Sequence, residues 1–336
     1  GDVCYAESRD GLRWSKPLIG AKPLGVAATN IVVSAVYSEG MDGNIVQQDW
    51  SAPPAERFKM FTMPYKNNNH SRMHFEILAS PDGKVWRSIV SKTGPAEDRS
   101  TAYYNPFRRK WVFSVKSSWN YPPIGRARSY WETDDLWHST WTCLPGDDSP
   151  SNSRTCSGAA EPVPWIGADE HDPRCVYNLT VTDPPNPESP VAANCTVGGV
   201  GWNMCDAPAQ LYNLDVFAHE SVLVGLFAVF RGFYDGGGFQ RTSGELNSIY
   251  LGFSRDGFTW HRPLPRKPFL EQSWPEHSWR NNDVQSVGGG VVVLNDTMHI
   301  YASGHSGLPQ DLEGTGGNGS MGLATLGRDR FISLVA

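Results

Sequence analysis

A chain of 336 residues with 19% charged residues and a net charge of −6 lacks the basic excess that a nucleic-acid or anionic-membrane surface requires. It is long enough to bury one sizeable core, and no run in it is long and apolar enough to span a bilayer as a helix. Its 34 glycines, 25 prolines and 12% aromatic residues suit many short strands joined by turns, with no long amphipathic helix among them.

In chain order, the first recognisable element is the phrase Ser8-Arg-Asp-Gly-Leu-Arg-Trp14. It returns as Ser80-Pro-Asp-Gly-Lys-Val-Trp86 and Ser254-Arg-Asp-Gly-Phe-Thr-Trp260. The later copies follow strand-like runs, Ile77-Leu-Ala79 and Tyr250-Leu-Gly-Phe253. Asp-Gly is expected to supply the two positive-φ residues of a tight hairpin, and the Trp to open the next strand and pack between sheets. Two weaker echoes lead from Gly125-Arg-Ala-Arg-Ser129 into Asp134-Asp-Leu-Trp137, and from Gly322-Leu-Ala-Thr-Leu326 into Gly327-Arg-Asp-Arg-Phe331.

Repeats tens of residues apart, each built from short strands, mark a β-propeller. The prediction is an all-β, five-bladed propeller forming a single domain over residues 1–336. Hairpin patterns run from Asn44 to Phe61, Ser100 to Val115, Leu211 to Phe230 and Val284 to Tyr301. The first phrase has no such hairpin ahead of it, so the first blade is expected to be incomplete at the N-terminus. Pro106-Phe-Arg-Arg109 and Asn295-Asp296 fall at hairpin tips.

Residues 143–209 break this rhythm with Asp-Pro-Pro, Asn-Pro, Ser-Pro and Gly-Gly punctuation, and read as a cysteine-rich loop insertion shaping one face. Cys143, Cys156, Cys175, Cys195 and Cys205 crowd into it, with Cys4 far away. None has the Cys-x-x-Cys spacing of a zinc site, so disulfides in an oxidising compartment are expected, with the connectivity open among 15 pairings. Sequons at Asn69, Asn178, Asn194, Asn295 and Asn318 agree with a secreted glycoprotein.

In a propeller the first strand of each blade lines a central funnel, so polar residues at those strand starts converge. The starts are expected near Asp42-Gly-Asn44, Glu97-Asp-Arg-Ser100, Tyr212-Asn-Leu-Asp215 and Arg280-Asn-Asn-Asp283. Converging carboxylates are what glycoside hydrolysis needs, one to protonate the leaving oxygen and one to attack or activate water. Asp42 is the nucleophile or base candidate. Asp98 beside Arg99 is expected to stay ionised as a transition-state stabiliser and clamp. Asp215, flanked by Leu214, Val216 and Phe217, is expected to be desolvated and protonated as the acid, in competition with Glu220. Arg99, Asn30, Tyr212, Asn282, Asp283 and Trp279 complete the substrate-binding set.

The bland alternative for each aspartate is a turn cap or backbone anchor. Asp10, Asp82 and Asp256 of the repeated phrase are read as turn formers. His277, His299 and His305 show no metal spacing, so no metal site or cofactor is expected beyond a structural calcium ion.

The runs Pro54-Ala-Glu-Arg-Phe-Lys-Met-Phe61, Arg99-Ser-Thr-Ala-Tyr-Tyr-Asn-Pro-Phe-Arg-Arg-Lys-Trp111, Trp165-Ile-Gly-Ala-Asp169, Gln210-Leu-Tyr-Asn-Leu-Asp215, Leu251-Gly-Phe-Ser-Arg-Asp-Gly257 and Gly322-Leu-Ala-Thr-Leu326 resemble a group of secreted bacterial proteins. That group is similar to the amino-terminal domain of glycosyl hydrolase family 32. The resemblance implies a five-bladed propeller of the invertase, levansucrase and arabinanase superfamily, whose sites use three acidic residues. By position these would be Asp42, Asp98 and Asp215 or Glu220. The chain lacks Trp-Met-Asn-Asp-Pro-Asn-Gly and the Glu-Cys pair of those enzymes, so fold carries over more firmly than fructoside specificity. In that group the chain often continues after Ser333-Leu334, which makes Ala336 an expected truncation.

Two functions follow as expectations. One is a secreted glycoside hydrolase acting on an oligo- or polysaccharide. The other is a non-catalytic, glycan-binding or structural extracellular propeller with an assembly partner.

Overall fold

The computed structural model describes residues 2–19, 29–34, 40–65, 73–97, 99–119, 125–142, 161–173, 209–231, 246–271, 283–306 and 318–331. Among them the regular structure is nearly all strand, with short 3-10 turns at Pro54–Glu56 and Leu136–His138. No helix there is long and apolar enough to cross a membrane. The chain divides into two compact units. One comprises Gly1–Ser117, Arg128–Trp165 and Val216–Glu220; the other comprises Ser118–Ala127, Ile166–Asp215 and Ser221–Ala336.

The first unit opens with β1 (Val3–Cys4), β2 (Glu7–Ser8), β3 (Trp14–Ser15) and β4 (Ile31–Val33), which make two small pairs, β1 with β4 and β2 with β3. There follow β5 (Gly40–Gln48), β6 (Phe58–Tyr65), β7 (Met73–His74), β8 (Glu76–Ser80), β9 (Arg87–Val90) and β10 (Pro95–Ala96). Strands β5-β6-β8-β9 form one four-stranded sheet, while β7 pairs with β10. A second four-stranded sheet runs β11 (Thr101–Asn105), β12 (Lys110–Trp119), β13 (Gly125–Thr133) and β14 (Val163–Ile166). Phe61 of β6 and Phe113 of β12 meet edge to face at 5.7 Å, and Phe75, Trp111 and Trp141 close around them. Each such fully buried ring contributes roughly 1.5–3 kcal/mol relative to exposure.

The second unit holds β15 (Gln210–His219), whose last four residues belong to the first unit, with β16 (Val222–Arg231) and β17 (Leu246–Ser254) in one sheet. β16 is buried on both faces from Leu223 to Phe230, which is why it reads as an unbroken apolar run rather than an alternating one. Its companion sheet pairs β18 (Asp283–Ser286) and β19 (Val291–Leu294) along one side of β20 (Thr297–Ser306), with β21 (Asn318–Gly327) on the other.

These four larger sheets follow chain order as up-and-down runs, the blade unit of a β-propeller, and they correspond to the four predicted hairpins. The described chain is therefore all-β with four blades, not the five predicted. The fifth blade is expected from the first repeated phrase, whose strands β2 and β3 are two residues each and, among the described residues, pair with each other alone. The stretch 143–209 also differs from a plain insertion, because β14 within it completes the second sheet.

The repeated phrase has one geometry in all three places. Gly11, Gly83 and Gly257 carry φ of 74°, 76° and 80°, while the preceding aspartates do not take positive φ. The predicted pair of positive-φ residues is therefore half right. The aspartate instead folds the turn with its side chain: Asp82 Oδ1 accepts from the backbone N–H of Lys84 and Val85 at 2.9 and 3.2 Å, and Ser80 Oγ accepts from Gly83. Asp10 and Asp256 repeat this arrangement. The backbone N–H groups hold the carboxyls of Asp10 and Asp82 below their ordinary value.

Candidate carboxylate site

In the first unit, Asp42 stands third in β5, opposite Met63 of β6. The register then slips before Ile45 pairs with Phe61, leaving one extra residue on β5. This is a β-bulge, a device that re-aims a side chain, and Gly43 at φ 59° makes it. A Cβ on Gly43 would lie 2.3 Å from Met63 Cε and 3.3 Å from the Ser100 carbonyl, so glycine is required both for conformation and for the close approach of the chain before β11. Asp42 Oδ1 accepts from the Gly43 N–H at 2.7 Å and meets Arg99 Nη1 at 3.3 Å. The two side chains are 18% and 27% exposed, reachable by a ligand yet partly shielded. On the next residue, Asn44 Oδ1 accepts from Thr62 Oγ1 at 2.5 Å.

Arg99 sits just ahead of β11 with φ 62°, in the left-handed region. The turn is closed by Ser100, whose N–H and Oγ both donate to the Glu97 carbonyl at 3.0 and 2.7 Å. Ser100 Oγ accepts from the Lys116 N–H, and Lys116 Nζ lies 3.9 Å from Glu97 Oε2. Beneath it the fully buried Arg128 donates to the Arg99 carbonyl at 2.8 Å and to Ser114 Oγ and carbonyl at 2.9 and 2.5 Å. Asp98 lies outside the described residues. The chemistry on display is a carboxyl group with a planar five-donor cation beside it, able to offer a nucleophilic or basic oxygen when ionised together with donors for hydroxyl or carboxylate oxygens.

In the second unit, Asp215 is the sixth residue of β15, deep in the strand rather than at its start as predicted, and 5% exposed. One oxygen, Oδ2, accepts from Asn213 Nδ2, Ser286 Oγ and the backbone N–H of Val287 and Gly288, at 2.8 to 3.1 Å. Four donors thus hold Oδ2 as an acceptor. Through Oδ2, Asp215 anchors the bend between β18 and β19. Tyr212 is likewise buried. The Arg126 guanidinium lies 4.7 Å from its ring centroid, and its hydroxyl accepts from Gln285 at 3.4 Å.

Glu220 occupies the tight turn between β15 and β16, exposed, with φ 49°. It follows Asp215 by five positions in the chain. Asn30 ties two segments together, its Nδ2 donating to the Tyr5 carbonyl at 2.9 Å. Asp283 begins β18 opposite His305. Asn282, Trp279, Cys143, Cys156, Cys175, Cys195, Cys205, Asn69, Asn178 and Asn194 lie outside the described residues. Cys4 is exposed as a free thiol among the described residues. Asn295 is exposed in the β19–β20 turn, and Asn318 begins β21. A surface cleft of about 600 Å³ is lined by Glu7, Arg9, Asp10, Arg13 and Trp14 of the β2–β3 pair and includes none of the candidate carboxylates.

Sequence reasoning passed over Arg128, Lys116 and Thr62, which support the site. It also passed over a partly buried ion network in the second unit, where Arg262 and Arg266 meet Asp169 and Asp172. The signal for the latter was present in the quoted run ending at Asp169, whose acidic partner Asp172 follows three residues on.

No family model and no curated protein matches this sequence. Solved structures do match. A glycosyl hydrolase from Bacteroides ovatus aligns over 98% of this chain and 76% of its own, with a TM-score of 0.52 at 11% identity. A second structure, described as a glycoside hydrolase, aligns over 97% and 79%, with a TM-score of 0.50 at 10% identity. A family 32 β-fructofuranosidase from Bombyx mori aligns over 86% of this chain and 47% of its own, at a TM-score of 0.39 and 10% identity, too distant to bear on the site. The fold is thus that of glycoside hydrolase-like propeller proteins, in agreement with the resemblance read from the sequence.

Proposed function

We propose that this chain is a glycoside hydrolase acting on an oligo- or polysaccharide, with Asp42 as nucleophile or base and Arg99 as substrate clamp. The observation that carries the reading is the partly exposed Asp42–Arg99 pair, built by a bulge in the first strand of a blade. First strands line the funnel of a propeller, where ligands of this fold class bind. The glycoside hydrolases among the fold neighbours support the same reaction class. Asp98 keeps the stabilising role. Asp215 is not carried forward as the acid, and that role falls to Glu220 or to Glu97, which shares the turn with Arg99. The expected compartment is extracellular, with Asn295 as an accessible glycan acceptor.

A second reading, glycan binding without turnover, is favoured by one observation, the commitment of Asp215 to four donors. Reducing-sugar release from plant, algal and bacterial polysaccharides decides between them. Release by the unmodified chain that Asp42→Asn abolishes, with Glu97→Gln and Glu220→Gln identifying the acid, establishes the hydrolase. Binding on a glycan array without release from any polysaccharide establishes the alternative.

A further inference from the structure

The geometry around Arg99 points to a division of labour: we propose that the buried Arg128 is a positioning residue that holds Arg99 in its left-handed conformation and so aims its guanidinium at Asp42 before any ligand arrives. The inference deepens the proposed reading of the Asp42–Arg99 pair and takes its site from there. Three observations support it. A non-glycine residue at φ 62° lies in the left-handed region at a backbone cost that its surroundings must offset. Here the surroundings are specific. Arg128 is fully buried, and its guanidinium spans from the Arg99 carbonyl to the carbonyl and hydroxyl of Ser114 on β12, so the strained peptide is tied to a central strand. On the other side of Arg99, the Ser100 N–H and hydroxyl fix the Glu97 carbonyl, which leaves the turn little freedom to relax.

An arginine placed there costs backbone energy that a glycine would not. What the side chain provides in return is the 3.3 Å contact with Asp42. Fixing that contact in the free protein removes the ordering cost that a flexible arginine would incur on binding a ligand. A partly exposed ion pair contributes little toward holding a long side chain still, so a clamp on the backbone beneath it adds order.

The test contains no glycan, so its outcome is separable from that of the hydrolase reading. Side-chain NMR of the Arg99 Nε–H reports the order of the guanidinium in the unmodified chain, in Arg128→Met and in Arg128→Lys. The expected result is high order in the unmodified chain, loss of order in Arg128→Met with backbone signals of the distant sheets unchanged, and partial recovery in Arg128→Lys, whose ammonium retains a donor for the Arg99 carbonyl. An Arg99 signal equally ordered in Arg128→Met overturns the proposal. Should Arg128→Met fail to fold, melting of Arg99→Gly against Arg99→Ala decides. Both variants lack the side chain, so a Gly variant that melts above the Ala variant, the reverse of the usual order, supports a strained position. An Ala variant that melts as high or higher overturns it.

Discussion

Arg262 and Asp172, 90 positions apart in the chain, share a buried two-point ion pair in which Arg262 Nη1 donates to Asp172 Oδ2 at 2.7 Å and Nη2 to Oδ1. Both side chains are almost wholly inaccessible, at 3% and 0% exposure. The Arg262 guanidinium also lies over the Phe227 ring at 4.7 Å, which places the cation against the apolar interior of the second unit. Removing one partner deprives the other of its two-point contact and leaves only longer ones, Arg262 with Asp169 at 3.5 Å or Asp172 with Arg266 at 3.7 Å. Asp172→Asn is therefore expected to lower stability by about 3–5 kcal/mol, and a paired change to Asp172→Leu with Arg262→Met to cost less than the two single changes together. Urea unfolding of Asp172→Asn, the two single changes and the paired change checks both statements, and additive losses would show that the pair is not coupled.

Asp215 is expected to behave as an anchor. Asp215→Asn keeps the shape but replaces a charged acceptor by a neutral amide, one of whose ends repels the N–H donors. The loss is expected to be about 1–3 kcal/mol. Hydrogen exchange at Val287 and Gly288, whose N–H groups bond directly to Oδ2, is expected to accelerate well beyond that of β16. Unchanged protection at those two amides, together with lost hydrolysis, would restore Asp215 to the catalytic set.

Blade content was legible where hairpin signals were strong. Pro106-Phe-Arg-Arg109 and Asn295-Asp296 do turn the chain between paired strands, because a positive-φ position at Arg109 or Asn295 and flanking β-branched runs are local features. Blade number was not legible, since the Ser8 phrase folds the same turn as its sisters without longer strands to extend it. At the candidate site, Asp42 and Arg99 were legible as candidates because each stands near a strand start, and strand starts are visible as pattern breaks. Arg128 was invisible, since a lone arginine between Ala127 and Ser129 reads as a solvent-facing residue until β12 and β13 are paired. The anchoring of Asp215 was hidden for a related reason. Apolar neighbours signal burial, but not the two backbone N–H groups that arrive from residues 287 and 288.

Gly43→Ala is expected to destabilise the first unit by about 1–3 kcal/mol, from a Cβ forced against Met63 and from φ strain. The Met63 contact is with the flexible end of the side chain, whereas the φ of 59° cannot relax without undoing the bulge. The same change introduced into a Met63→Ala background is therefore expected to cost less but not to become neutral. Thermal unfolding of the four proteins of this cycle measures the difference. Equal costs in both backgrounds would mean that the Met63 contact contributes nothing.

Asp169 sets a pH dependence. Burial pushes its carboxyl upward, but the His171 N–H and the guanidinium groups of Arg266 and Arg262 outweigh that and hold it below the ordinary value of 3.8. The folded chain thus binds a proton at Asp169 less readily than the unfolded chain. Its contribution to stability is complete above the unfolded value and is lost as pH falls through the lower folded one. Asp256 acts in the same direction: burial raises its carboxyl, and the N–H groups of Thr259 and Phe258 with the Ser254 hydroxyl more than offset this. Because Asp169 is 42% exposed, solvent screening keeps its share modest. Asp169→Asn is expected to melt somewhat lower at neutral pH, with the gap to the unmodified chain narrowing as pH falls from about 4 toward 2. Melting curves across that range check this, and a gap of constant width would assign the whole effect of Asp169 to lost hydrogen bonds rather than to its charge.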